Sequence, residues 1–270
     1  MTFKEWLFET GEIVNPFYPG QWKFLHILTL VTCVMLILGF YFLYKKSKNK
    51  EKTRKIIIIT LASLILFFEV MSRFVYFMRK YYFNTSDMIE LSALWIIIPK
   101  PWCAISCWAL IASVIVDKKY FYNYASLSAL LCSFIFFIYP GVGFNNVYIM
   151  WSNIYSIVTH ALLLTMSISL ITLKFTDFKY NEFWKLAICF VVTFAYGLFQ
   201  IYVLKTQTDP MYFMPHGDIQ EGILHMSWPL YITLYCVLIL IYINSFYLIG
   251  DKKTVKKFFC KNKKVTIKEV

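Results

Sequence analysis

Two residues whose chemistry suits group transfer lie inside apolar runs of this chain: Cys103 in IPKPWCAISC and His160 in WSNIYSIVTH. A thiolate is the nucleophile of acyl transfer, and an imidazole can take the proton from the thiol. Asn153, Ser156 and His160 recur at i, i+3 and i+7, so a helix carries them as one polar stripe. Asn153 or Ser156 would orient the imidazole or donate to an oxyanion. Glu69 and Arg73 stand four apart, share a helix face and can pair. Two readings fit that pair: an ion pair that fixes helix packing, or a charged border for a lipid headgroup site. Lys100 sits between Pro99 and Pro101. It can snorkel to the outer headgroup layer, stabilise a thiolate or hold a lipid phosphate. The prolines would either widen the helix just before Cys103, opening room for a lipid ester, or only kink it for packing.

The elements that position these residues follow from composition. With 59% hydrophobic and 16% charged residues, the chain is far more apolar than a soluble domain. A bilayer core of roughly 30 Å needs about 20 apolar residues per helix. Seven runs supply that length, at 24–44, 56–78, 91–116, 121–139, 149–173, 183–204 and 228–249. The expected fold is all-α, a polytopic bundle of seven transmembrane helices over 1–250, followed by a basic tail over 251–270. The acidic Glu5, Glu9 and Glu12 near the start argue against a removable signal peptide. Spans three and five enter from the same side, so Cys103 and His160 both lie roughly 17 Å below the outer boundary.

The formal charge of +12 raises the question of nucleic acid, and the distribution of bases answers it. Twenty Lys and Arg fall on one side, in 45–55, 117–120, 174–185 and the tail after Gly250, against five on the other. The basic excess is therefore topological, with the amino terminus outside and the carboxyl terminus cytoplasmic, and no nucleic-acid partner is expected. The tail is a solvated flank that can also touch anionic lipid.

The seven cysteines show no CxxC and no paired spacing, which disfavours a disulfide framework or zinc site and makes most of them small packing residues. No phosphate-binding glycine loop, HExxH or GxSxG is present, and no cofactor is expected. The outer loop over 205–227 holds His216, Asp218, Glu221 and His225, read as a cap over the cavity rather than a metal site.

Several landmarks together resemble one family. IPxxxC at Ile98–Cys103, Pro140 in the following outer loop, His160 in mid-span, and DPMYFMP…SWPLYI from Asp209 to Ile232 look like transmembrane protein 164 and its bacterial YwaF-type integral membrane relatives. The resemblance implies a phospholipid acyltransferase that acts through a cysteine and a histidine, which by motif position correspond to Cys103 and His160. It also implies a bacterial plasma membrane location. The chain departs from the family pattern where relatives show Leu-Pro-Leu-x-Leu-Cys, and at Asp209-Pro210, where they show Asn-Tyr.

The resulting expectation is a membrane-embedded enzyme that moves a fatty acyl chain from a phospholipid through a cysteine thioester to a lysophospholipid. A lipoprotein amine or water as acceptor would make it a lipoprotein acyltransferase or a lipase. A different class also fits these residues: a transporter or channel in which Glu69, Arg73, Lys100 and His160 line a polar path. A receptor-like or scaffolding protein, with the outer loop as its binding surface, is a third.

Overall fold

The computed structural model describes residues 3–8, 23–82, 98–138, 144, 150–204 and 224–251, and these are helical with short connections. Eight α-helices are described: α1 (Phe3–Phe8), α2 (Phe24–Lys46), α3 (Lys50–Tyr81), α4 (Trp102–Val116), α5 (Lys119–Ile138), α6 (Trp151–Thr172), α7 (Phe183–Tyr202) and α8 (Trp228–Gly250). Six of them, α2, α3, α5, α6, α8 and the helical segment Tyr180–Tyr202, are long and apolar enough to cross a membrane. The chain divides into two compact units, 1–175 and 176–270. The expected basic tail from residue 252 on, most of the outer loop and residues 91–97 of the third expected span lie outside the described residues.

The expected third span needs correction. The chain at 98–101 is not helical, and α4 begins only at Trp102, with Pro101 as its extended N-cap at φ −73° and ψ 156°. Proline disfavours the α conformation in the residue before it, which blocks Ile98 and Lys100. Proline itself is well tolerated at a helix entrance. The carbonyl of Pro101 is not left open either, because it accepts the Ile105 amide at 3.1 Å. The prolines therefore start a 15-residue helix instead of kinking a longer one.

In the first unit α6 is central, packing on α2, α3, α4 and α5, while α5 also packs on α4, and α3 on α4. Small residues on α5, among them Ala125, Ser126, Ser128, Ala129 and Ser133, are buried and let its neighbours approach closely. By contrast α2 buries only His26 and Cys33, and its Val31, Met35 and Phe42 are exposed. Such apolar exposure on long helices is what a lipid-facing surface requires. α3 extends two turns beyond the expected span through its basic residues. Asn49 caps it by accepting the Lys52 amide at 3.0 Å, and Glu51 suits its positive end.

One end of this unit is tied together by specific bonds. Arg54 of α3 donates to the carbonyl of Lys174 at 3.3 Å, just past α6, and its guanidinium lies 4.8 Å from the Phe175 ring centroid. Phe175 in turn packs on Tyr122 of α5, whose hydroxyl donates to Asp117 at 3.1 Å. Asp117 adopts φ 48°, a left-handed conformation that Asp tolerates, and with Lys118 makes the tight turn between α4 and α5.

The second unit consists of a 3₁₀ turn (Tyr180–Glu182), α7 and α8. Tyr247, fully buried on α8, meets Phe178, Tyr180 and Phe183 edge-on or tilted. Gly250 ends α8 against Phe178: a Cβ there would stand 2.8 Å from Phe178 Cβ and 3.1 Å from its carbonyl oxygen. Gly250→Ala should therefore destabilise this unit by about 1–3 kcal/mol, the usual cost of overpacking. Limited proteolysis within 176–251 at rising temperature reads that loss, and unchanged resistance would refute it.

Candidate functional site

The start of α4 is fixed before any chemistry is considered. The indole N–H of Trp102, a buried residue, donates to Ser128 Oγ at 2.8 Å, and Ser106 Oγ lies 2.7 Å from the same oxygen and 3.5 Å from Cys132 Sγ. These contacts pin the first turn of α4 to α5. Cys103 is the second residue of α4 and is half-buried. The first amides of a helix have no partner inside it, and those of Cys103 and Ala104 face the Cys103 thiol.

His160 is buried in the middle of α6. Its Nδ1 lies 2.7 Å from the carbonyl oxygen of Ser156, one turn earlier, and its ring stacks on Phe136 of α5 at 3.8 Å and 9°. A carbonyl only accepts, so Nδ1 of the neutral ring carries the proton and Nε2 holds the lone pair. Ser156 thus orients the imidazole through its backbone rather than its hydroxyl. Asn153 does not: its side chain caps α6 by accepting the Met150 amide at 3.2 Å.

No hydrogen bond joins Cys103 and His160 among the described residues; the relation between them runs through α5. Cys103 lies within electrostatic reach of Cys132, and His160 stacks on Phe136, one turn further along the same face. The electrostatic neighbour of the thiol and the stacking partner of the imidazole are therefore one turn apart on one helix face.

Glu69 and Arg73 do pair. Glu69 is fully buried, its Oε2 takes Arg73 Nη1, and the same nitrogen donates to the Glu69 carbonyl at 2.9 Å. The pair is not isolated. The Tyr155 hydroxyl of α6 donates to Glu69 Oε1 at 2.7 Å, the Cys107 thiol of α4 lies against the carboxylate, and the Arg73 guanidinium lies 5.2 Å from the Trp108 ring centroid. One carboxylate thus joins α3, α4 and α6, and Cys103 lies within electrostatic reach of both Glu69 and Tyr155. Sequence reading missed Tyr155, Cys107 and Trp108. The available signal is that a buried carboxylate needs several donors, more than Arg73 alone supplies.

Lys100 lies in the non-helical lead into α4, half-buried and within electrostatic reach of Lys80 at the end of α3. Of the outer-loop residues, His225 is described, with φ 49°, while His216, Asp218 and Glu221 are outside the described residues. Among the described residues no three His, Cys, Asp or Glu are arranged to hold a metal ion. The described cysteines are free thiols.

Residues 21–247 match the TMEM164 family. The chain belongs to this family. The match spans the buried Glu69 network, the start of α4 and the centre of α6. With six helices of spanning length, this TMEM164-family protein is a multi-pass membrane protein. Comparison of the TMEM164-family chain with curated proteins and with solved structures returned no match.

Proposed function

We propose that this TMEM164-family protein is a membrane-embedded acyltransferase that carries a fatty acyl chain from a phospholipid, as a thioester on Cys103, to a lysophospholipid. The observation that supports it most is the buried imidazole in the centre of α6 whose Nδ1 is engaged by the Ser156 carbonyl at 2.7 Å. Such a histidine has Nε2 ready to accept a proton.

In the first half-reaction Nε2 of His160 takes the Cys103 proton and sulfur attacks the ester carbonyl carbon. As the tetrahedral intermediate collapses the ester C–O bond breaks, and the proton passes from Nε2 to the departing lysophospholipid oxygen. In the second, Nε2 takes the proton of the acceptor hydroxyl, its oxygen attacks the thioester carbon, the C–S bond breaks and the proton returns to sulfur. The amides of Cys103 and Ala104, which face the thiol, stabilise the oxyanion of each intermediate. Lys100 and Lys80 attract the substrate phosphate, and Arg73 borders that headgroup while Glu69 holds it in place.

The test is intact-protein mass after purification from membranes. A hydroxylamine-labile adduct of fatty acyl mass is expected, and its absence after incubation with phospholipid would remove the thioester. A lipoprotein amine or water as second acceptor would leave the same adduct and change only the product.

The same reading sets the amino terminus outside, the carboxyl terminus in the cytoplasm and the protein in a bacterial plasma membrane. Single cysteines introduced in 45–55 should resist impermeant thiol reagents in intact cells, whereas those in 205–227 should react. Reversed labelling would overturn the orientation.

A further inference from the structure

The cations at one end of the first unit form a surface that the acyl-transfer reading does not use. α2 ends and α3 begins there, with seven Lys and Arg between residues 45 and 55, six of them exposed lysines. Exposed Lys118, in the turn between α4 and α5, and exposed Lys174, just past α6, belong to the same end. The Arg54 bond to Lys174 and the contacts linking Phe175, Tyr122 and Asp117 bring these three connections together.

The acids at this end are already engaged by the protein. Glu51 is held by Arg54 at 2.6 Å and by Lys55 at 3.7 Å, and Asp117 accepts from Tyr122. These two acids stand against the nine Lys and Arg of the three connections, so the rim presents net positive charge. Immediately beside the lysines stand exposed apolar residues: Leu43 at the end of α2, Ile56 in α3 and Ile115 at the end of α4. A band of cations bordering lipid-facing apolar side chains stands at headgroup height, with long lysine stems able to reach along it. A nucleic acid would need no apolar border. An anionic lipid meets both features, its phosphate on the ammonium groups and its chains on the apolar flank.

We propose that this rim is a binding surface for anionic phospholipid headgroups, which stabilise the first unit by bridging the turn after α2, the turn after α4 and the end of α6. It is distinct from Cys103 and does not depend on acyl transfer.

The test uses the full chain in an uncharged detergent and reads its unfolding temperature with phosphatidylglycerol, with phosphatidylcholine of the same acyl chains, and with sn-glycerol 3-phosphate. Phosphatidylglycerol should raise the midpoint by at least about 3 °C, since a ligand that binds only the folded state stabilises it by mass action. High salt should remove most of that rise. The combined variant Lys48→Gln, Lys50→Gln, Lys52→Gln should lose most of it, while Arg54 and its bonds stay intact. Native mass spectrometry of the wild type provides a second reading that requires no variant, and should retain phosphatidylglycerol in preference to phosphatidylcholine. Equal shifts with the two lipids would overturn the proposal, as would a full shift in the variant. A shift with glycerol phosphate alone would overturn the lipid source, and an equal shift with a short oligonucleotide would overturn the lipid class.

Discussion

Cys103→Ala should eliminate both the acyl adduct and acyl exchange between labelled phospholipid and lysophospholipid, while its unfolding temperature stays within a few degrees of the wild type. Removing a nucleophile from a covalent mechanism typically costs at least about 10³-fold in turnover. Cys103→Ser should fall well below the wild type, because a hydroxyl needs much stronger activation than a thiol. His160→Ala should lose roughly 10²–10⁴-fold, the usual contribution of a positioned base. The choice of control matters. Cys107 is buried against Glu69, so replacing it perturbs the network beside Cys103, whereas Cys236 is exposed on α8. Cys236→Ala should leave exchange intact. A transporter would give mild loss at Cys103 and no adduct. Exchange at the wild-type rate in folded Cys103→Ala would sink the thioester mechanism.

The largest stability effect is expected at Glu69. Glu69→Leu strands Arg73 Nη1, the Tyr155 hydroxyl and the Cys107 thiol around an apolar side chain. Breaking a buried pair from one side costs about 3–5 kcal/mol. That is a large share of the 5–15 kcal/mol typical of a whole domain. Removing the donors as well, in Glu69→Leu, Arg73→Met, Tyr155→Phe, should restore much of the loss, because an apolar replacement of a complete buried network is often neutral or stabilising. Unfolding in detergent and exchange activity, measured on the same preparations, separate the two readings of the pair. A folded but inactive triple variant supports the headgroup role. A folded and active one reduces the pair to packing.

The helices were legible wherever a long apolar run determines the answer. Their ends were legible where an apolar run meets charge or a capping side chain, and α5, α6 and α8 begin and end within about two residues of the expected bounds. The third expected span was misread because an apolar run does not reveal its conformation. IPKP carries the information, but two prolines can bend a helix or open one, and composition alone does not choose. At the site, the Glu69 and Arg73 pairing was legible from spacing, since one helix carries both. Tyr155 was not, because it lies 86 residues from its partner and a tyrosine in an apolar helix resembles ordinary packing. The separate roles of Asn153, which caps α6, and Ser156, whose carbonyl meets the imidazole, were not legible for a related reason: spacing predicts a shared face, but not whether a side chain or a carbonyl makes the bond.

The brevity of α4 sets a limit on delivery. Fifteen residues rise only about 22 Å, well short of a bilayer core of roughly 30 Å. In the proposed orientation, with its lower end at the rim where Asp117 accepts from Tyr122, its upper end would stop several ångströms inside the hydrocarbon layer. In the proposed orientation a water-borne thioester donor would have to shed its hydration and sink to reach Cys103, whereas a lipid already in the leaflet arrives sideways, chains first. On the acyl-transfer proposal, the short helix would act as a depth gauge that selects donors by how they are dissolved, before any pocket distinguishes one headgroup from another.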